Sequence, residues 1–186
     1  MVAVVSLGLR GLQVIIGAVI LGLAVTLIKQ QVVNGAPTTT KYSSFTGVFT
    51  ILVCFIGVAA TFIDAIPPIV TMALDGILGL LLLAGGIAWA VGLKGISCKN
   101  PVDYLEMLHN GLLNQGSVGS GDDELFGIIP AEGDTHENIF NRLSANCQKG
   151  LVDEIFQFIG FGLALVFVAL AFVRMRRGGG ASNYVV

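Results

Sequence analysis

MALDGILGLLLLAGGIAWAVGL, Met72 to Leu93, is hydrocarbon and glycine throughout except for a single carboxylate, Asp75. A run of roughly 18 or more apolar residues crosses a hydrocarbon slab of about 30 Å at about 1.5 Å per residue. The stretch therefore reads as a membrane-crossing helix, and its full extent is about Pro68–Leu93. Three further runs of the same kind lie around it, about Leu12–Ile28, Phe45–Ile63 and Val152–Val173. None alternates apolar and polar residues as a barrel strand does. The fold class that follows is all-α, an integral membrane four-helix bundle with a long outer loop between helices three and four.

The totals agree. The 186 residues are 54% hydrophobic and only 12% charged, where soluble domains carry about 25% charged residues. A formal net charge of −2 provides no basic stripe, which sets nucleic acid aside as a partner. The first run follows Arg10 and lacks a small-residue cleavage site, so it reads as a retained span and not as a signal peptide.

The connections divide the chain further. KQQVVNGAPTTTKYSS joins spans one and two, with Asn34, Gly35 and Pro37 as breakers. Asp64 to Pro67 makes a tight hairpin into span three, where Pro67 and Pro68 fit a first helical turn and Asp64 suits the positive end of its dipole. Residues 94–150 form the outer loop, which holds most of the acids. Within it, Asn100, Pro101 and Asp103 are placed as a cap, N1 proline and N3 acid. Val102, Leu105, Leu108 and Leu112 follow at helical steps, which predicts a short amphipathic helix on the membrane surface. GSVGSGDDE is linker in composition. Asp134 and Glu137 open a second helix that leads toward span four, where Asp153 and Glu154 read as complements to the helix dipole. Residues 1–177 are thus the membrane domain and 178–186 a flexible cytoplasmic tail.

Counting cations by side does not orient the bundle. With both termini inside, Arg10, Arg174, Arg176 and Arg177 are cytoplasmic, while Lys29, Lys41, Lys94, Lys99, Arg142 and Lys149 lie outside. The dense RMRR cluster favours cytoplasmic termini. Cys98 and Cys147 flank the outer loop and either close a disulfide in an oxidising compartment or remain two unpaired thiols facing the cytosol. Cys54, in mid-span, reads as a small packing residue.

LRGLQVIIGAVILGLAV in span one, ALDGILGLLLLAGGIAWAVGLKGISC in span three, and Cys147 followed by a final apolar helix together resemble fungal MARVEL-domain proteins. The group most resembled includes the non-classical export protein. The likeness is sharpest at Arg10 to Gln13, at Leu74 and Asp75 leading to Ala84, Gly85 and Ala90, and at Ser97 and Cys98. It implies a four-helix bundle with cytoplasmic termini, a paired-cysteine outer loop, and residence in plasma membrane or secretory vesicles. The roles it implies are lateral membrane organisation, membrane apposition or cargo traffic.

Asp75 sits roughly 12 Å into its helix, where insertion of an Asp costs about 2.5–3.5 kcal/mol. It should therefore face other helices and be neutral or partnered. Gln13, one turn inside Arg10, is the leading partner, and Arg10 itself either snorkels to the headgroups or reaches inward. Ala18 with Gly22, Gly86 with Ala90, and Gly160 with Ala164 are each four apart, the spacing of close helix approach. Trp89 and Tyr42 read as interfacial anchors, together with Arg174, Arg176 and Arg177.

No motif of catalysis, metal binding or phosphate cradling occurs, so no cofactor and no small-molecule substrate is expected. The expected partners are membrane lipids and either a second copy or other membrane proteins. Three functions remain in view. They are a non-enzymatic membrane organiser, a small transporter or channel subunit using Asp75, and an adhesion or junction-like protein using the outer loop.

Overall fold

The computed structural model describes residues 2–31, 35–63, 66–114, 117–118, 125–126 and 136–176. It contains α1 (Val2–Gln30), α2 (Thr38–Phe62), α3 (Pro68–Gly92), a 3₁₀ turn (Pro101–Asp103), α4 (Tyr104–His109) and α5 (His136–Arg176). The outer connection also holds two-residue strands β1 (Ser117–Val118) and β2 (Leu125–Phe126), paired antiparallel with Ser117 opposite Phe126. The sequence carries no alternating pattern there, and the ladder is the only β structure among the described residues.

α1, α2, α3 and α5 are each long and apolar enough to cross a membrane. Each packs on the next and α5 packs back on α1, closing a ring of four helices. The connections make it an up-down bundle with the start of α1 and the end of α5 at one end. That is the terminal end, and the opposite end, over which the outer connection folds, is the cap end.

Local chemistry sets the helix limits. Pro68 opens α3 at its first position with Pro67 before it in extended backbone, where the missing N–H costs nothing. Asp64 lies outside the described residues, as do Asp134, most of GSVGSGDDE, Arg177 and the tail 178–186. After α3 the chain turns at Gly95, whose φ of +85° lies in the left-handed region that favours glycine.

α5 is 41 residues long, about 62 Å at about 1.5 Å per residue. That is roughly twice the hydrocarbon thickness, so its first turns stand beyond the bundle at the cap end. This corrects the reading of Asp153 and Glu154 as dipole complements, because the helix starts at His136 and both acids lie mid-helix.

The cap is sealed by an apolar cluster of Leu27, Trp89, Leu93, Cys98, Met107, Leu113, Leu143 and Cys147. Cys98 and Cys147 are disulfide-bonded, their Cα atoms 5.5 Å apart. Closing so long a loop restricts the unfolded chain by about 4 kcal/mol on the chain-entropy estimate. Asn110 Nδ2 donates to the Gly92 carbonyl at 2.8 Å, satisfying the end of α3, and Ser144 Oγ donates to the Cys98 carbonyl at 2.6 Å. Asn100 caps the 3₁₀ turn, its side-chain oxygen accepting from the Val102 N–H at 3.2 Å. The stripe expected on α4 divides. Leu108 and Leu112 join Met107 against the cap cluster, whereas Val102 and Leu105 are 82% and 63% exposed.

Candidate functional site

Two polar layers are buried in the bundle, separated by an apolar plug of Ile16, Ile20, Val53, Leu78 and Leu82. Such groups are costly in a membrane interior and persist where they are partnered or functional. They are the candidate functional groups of this chain.

The layer nearer the terminal end centres on Asp75, which is 1% exposed. Arg10 from α1 meets it in a two-pronged ion pair, Nη1 to Oδ1 at 2.6 Å and Nη2 to Oδ2 at 2.5 Å. The planar fork matches the carboxylate, so both charges are neutralised by hydrogen-bonded contact. Arg10 Nη1 also donates to Gln13 Oε1 at 3.2 Å, and the guanidinium lies 3.8 Å from the centre of the Phe167 ring on α5. Gly57 makes the passage possible, since a Cβ there would come within 2.6 Å of the guanidinium carbon. Four helices thus converge on one cation. Arg10 reaches inward and does not snorkel, and Gln13, expected as the leading partner of Asp75, steadies the arginine instead. A full charge with five donors outcompetes a neutral amide for a carboxylate.

Beside this pair a cavity of about 100 Å³ is lined by Asp75, Arg10, Ser6, Thr61, Thr71 and Pro68 among others. It places polar hydroxyls and the ion pair at one opening near the terminal end.

The layer nearer the cap end is assembled by no expectation drawn from the sequence. Asp153 of α5 is fully buried and accepts a hydrogen bond from Ser43 Oγ at 2.6 Å and another from Gln157 Nε2 at 2.9 Å, both at Oδ2. Ser43 Oγ in turn accepts from Trp89 Nε1 at 2.8 Å and from Gln157 Nε2 at 2.9 Å. Asp153 is therefore a second acid buried inside the bundle. Gly85 gives Gln157 its room, because a Cβ on Gly85 would overlap the Gln157 amide oxygen.

Trp89 is consequently a core residue and not an interfacial anchor, its ring in the cap cluster and its N–H bonded to Ser43. A buried indole holds its place by finding a partner for its one donor. Tyr42 also turns inward, donating its hydroxyl to the Leu81 carbonyl at 2.9 Å. Arg176 sits over the Phe172 ring at 4.9 Å, while the Arg174 side chain and Arg177 lie outside what is described.

The small residues sort differently from their spacing. Gly86 packs under the Phe158 ring, with Ala90 half-buried beside it. Gly160 lies against Leu82 and Ile16, and Ala164 against Gly79. Ala18 and Gly22 face outward, and a Cβ on Gly22 would meet nothing within 4 Å. The close crossing of α1 and α2 is made by Gly17 and Gly47 instead, where a Cβ on Gly47 would lie 2.8 Å from the backbone of Leu21. Spacing of four recurs on every face of a glycine-rich helix and does not say which face is inside.

The outward surface is apolar all round, with Leu12, Ile15, Leu52, Phe55, Leu80 and Ile87 exposed. Among the described residues no group of His, Cys, Asp and Glu side chains is arranged to hold a metal. A four-helix membrane bundle with this lipid-facing surface matches the family model of MARVEL, a membrane-associating domain, over residues 3–172. The chain belongs to the MARVEL family. No match is found among curated proteins or among solved structures. In this MARVEL chain both polar layers lie inside the matched region, so they belong to the domain itself.

Two signals for the missed residues were present. Asp153 and Gln157 are four apart, hence on one helical face at the start of the apolar run, with Glu154 on another. The TTTKYSS stretch places Ser43 in the first turns of α2.

Proposed function

We propose that this MARVEL protein is a non-enzymatic membrane organiser whose outward surface selects lipids and partners, serving lateral plasma-membrane organisation, membrane apposition or vesicle traffic. The observation that carries the reading is the closure of the Arg10–Asp75 pair, whose charges are satisfied by each other and by Gln13 and Phe167. A buried pair of this kind contributes more to register than to net stability. It holds α1, α3 and α5 in fixed rotation, so that a defined apolar surface faces the bilayer. The termini are assigned to the cytoplasm and the disulfide-bonded cap to the oxidising side. Arg10 to Gln13, Leu74 with Asp75, and Ser97 with Cys98 support a likeness to the fungal non-classical export group.

The test is reconstitution of labelled protein in giant vesicles of mixed lipids. Clustering, or partition into one lipid phase, is expected for the wild type and weakened for Asp75→Ala. Free monomeric diffusion with no phase preference defeats the proposal.

The cavity beside Asp75 favours one second reading, a small transporter or channel subunit in which the acid carries protons. Proton flux into proteoliposomes that disappears in Asp75→Asn, with the bundle still folded, would establish it. Flux equal to that of empty vesicles removes it.

A further inference from the structure

At the cap end, where α5 rises past the last turn of α1, a cavity of about 260 Å³ is lined by Gln30, Arg142, Ala145 and Asn146. Its size far exceeds the roughly 30 Å³ share of one water molecule. Asn146 is 1% exposed, yet neither its amide nitrogen nor its amide oxygen has a hydrogen-bond partner. Leaving both halves of a buried amide unmet is expensive and calls for an explanation. Arg142 is one helical turn away on the same face of α5 and forms no ion pair among the described residues. Opposite them α1 ends at Gln30, and the last carbonyls of a helix lack intrahelical donors and carry the negative end of its dipole.

The cavity therefore presents two chemistries side by side. Arg142 and the Asn146 amide N–H ask for an anionic oxygen. The Asn146 amide oxygen and the α1 terminus ask for a hydrogen-bond donor, and one carrying positive charge suits the dipole best. The cavity lies at the end of α1 and next in sequence to the disulfide-bonded Cys147, and the ends of spanning helices are where lipid headgroups lie.

We infer that this cavity is a binding site for a phospholipid headgroup pairing a phosphodiester with N–H donors, an ethanolamine-type headgroup from the leaflet at the cap end. The phosphodiester sits on Arg142 and the Asn146 Nδ2, and the ammonium donates to the Asn146 Oδ1 beside the negative end of the α1 dipole. Choline, whose nitrogen has no hydrogen to donate, meets only the first half. The site deepens the proposed reading of lipid selection but uses no residue of the Arg10–Asp75 layer, so either can fail while the other stands.

The experiment is native mass spectrometry of the full chain in detergent, titrated with phosphatidylethanolamine and, separately, with phosphatidylcholine of the same acyl chains. Retention of phosphatidylethanolamine at one per chain, about tenfold tighter than phosphatidylcholine, is expected, the size of one charge-assisted hydrogen bond. Asn146→Leu should abolish that preference, and Arg142→Gln should weaken both lipids. The Cys98–Cys147 linkage and a monodisperse chromatographic profile serve as folding controls, and the exposed Arg142 keeps the test decisive should Asn146→Leu misfold. Equal retention of the two lipids, or binding by Arg142→Gln unchanged from wild type, overturns the assignment. Competition by soluble phosphoethanolamine as strong as by the lipid overturns its membrane origin.

Discussion

The bundle buries two aspartates in two different ways. Asp75 meets a full cation through both oxygens, whereas Asp153 is held by the neutral donors of Ser43 and Gln157 at a single oxygen. Its other oxygen, Oδ1, has no partner. Charge-assisted hydrogen bonds are roughly twice as strong as neutral ones, but they create a liability. Removing one member of a pair strands the other charge, whereas removing one donor from a neutral network leaves only an unmet polar group. The terminal-end layer is a rigid two-charge lock and the cap-end layer a distributed net backed by the disulfide.

That comparison breaks most visibly at Asp75. Asp75→Ala leaves Arg10 buried and unpaired and should lower stability by about 3–5 kcal/mol, read as loss of folded protein in a denaturant titration in mixed micelles. Combining Arg10→Gln with Asp75→Asn replaces charge by amide hydrogen bonding and should recover more than half of the loss. Failure to recover would mean that the guanidinium's contact with Phe167, not its charge, holds the layer.

Cys98→Ser should cost about 2–4 kcal/mol and act locally. Hydrogen exchange should rise in α4 and in the first turns of α5, with α1 and α2 unchanged. If exchange instead rises throughout the bundle, the two ends are not the separable units described.

Ser43→Ala withdraws one donor from Asp153 and leaves the Trp89 N–H without its acceptor, at a cost of about 1.5–3 kcal/mol. The shift should appear in Trp89 fluorescence, which reports on the sole tryptophan of the chain. An unaltered spectrum would remove Ser43 from the centre of that network.

The smallest effect separates packing from spacing. Gly47→Ala forces a methyl into the α1 backbone and should cost about 1–3 kcal/mol, whereas Gly22→Ala should change stability by less than about 0.5 kcal/mol. Equal effects at the two sites would contradict the assigned rotation of α1.

The four-helix architecture was legible because a hydrocarbon slab imposes a length that apolar runs either meet or fail. That Asp75 turns away from lipid was legible too, because no sequence neighbour solvates it, and the choice between a neutral and a partnered acid was made by Arg10 in three dimensions. The sequence puts Gln13 ahead of Arg10 as the partner of Asp75, and the structure reverses that order. Asp153 reads from the sequence as a dipole complement because it stands at the edge of the apolar run from Val152, whereas α5 starts sixteen residues earlier and puts the acid mid-helix. Residue type alone places Trp89 at the interface, while its N–H is bonded inside the bundle to Ser43.

Length and hydropathy are properties of the chain read in one dimension, and they determined its four helices long and apolar enough to cross a bilayer, while membership of the MARVEL family rests on the match over residues 3–172. Rotation of each helix about its own axis was decided only in three dimensions. In water the apolar stripe of a helix announces its inner face, but lipid tails are as apolar as the bundle core. These helices carry leucine and glycine on every side, so the inner face emerges only when Gly17 meets Gly47 and Arg10 meets Asp75.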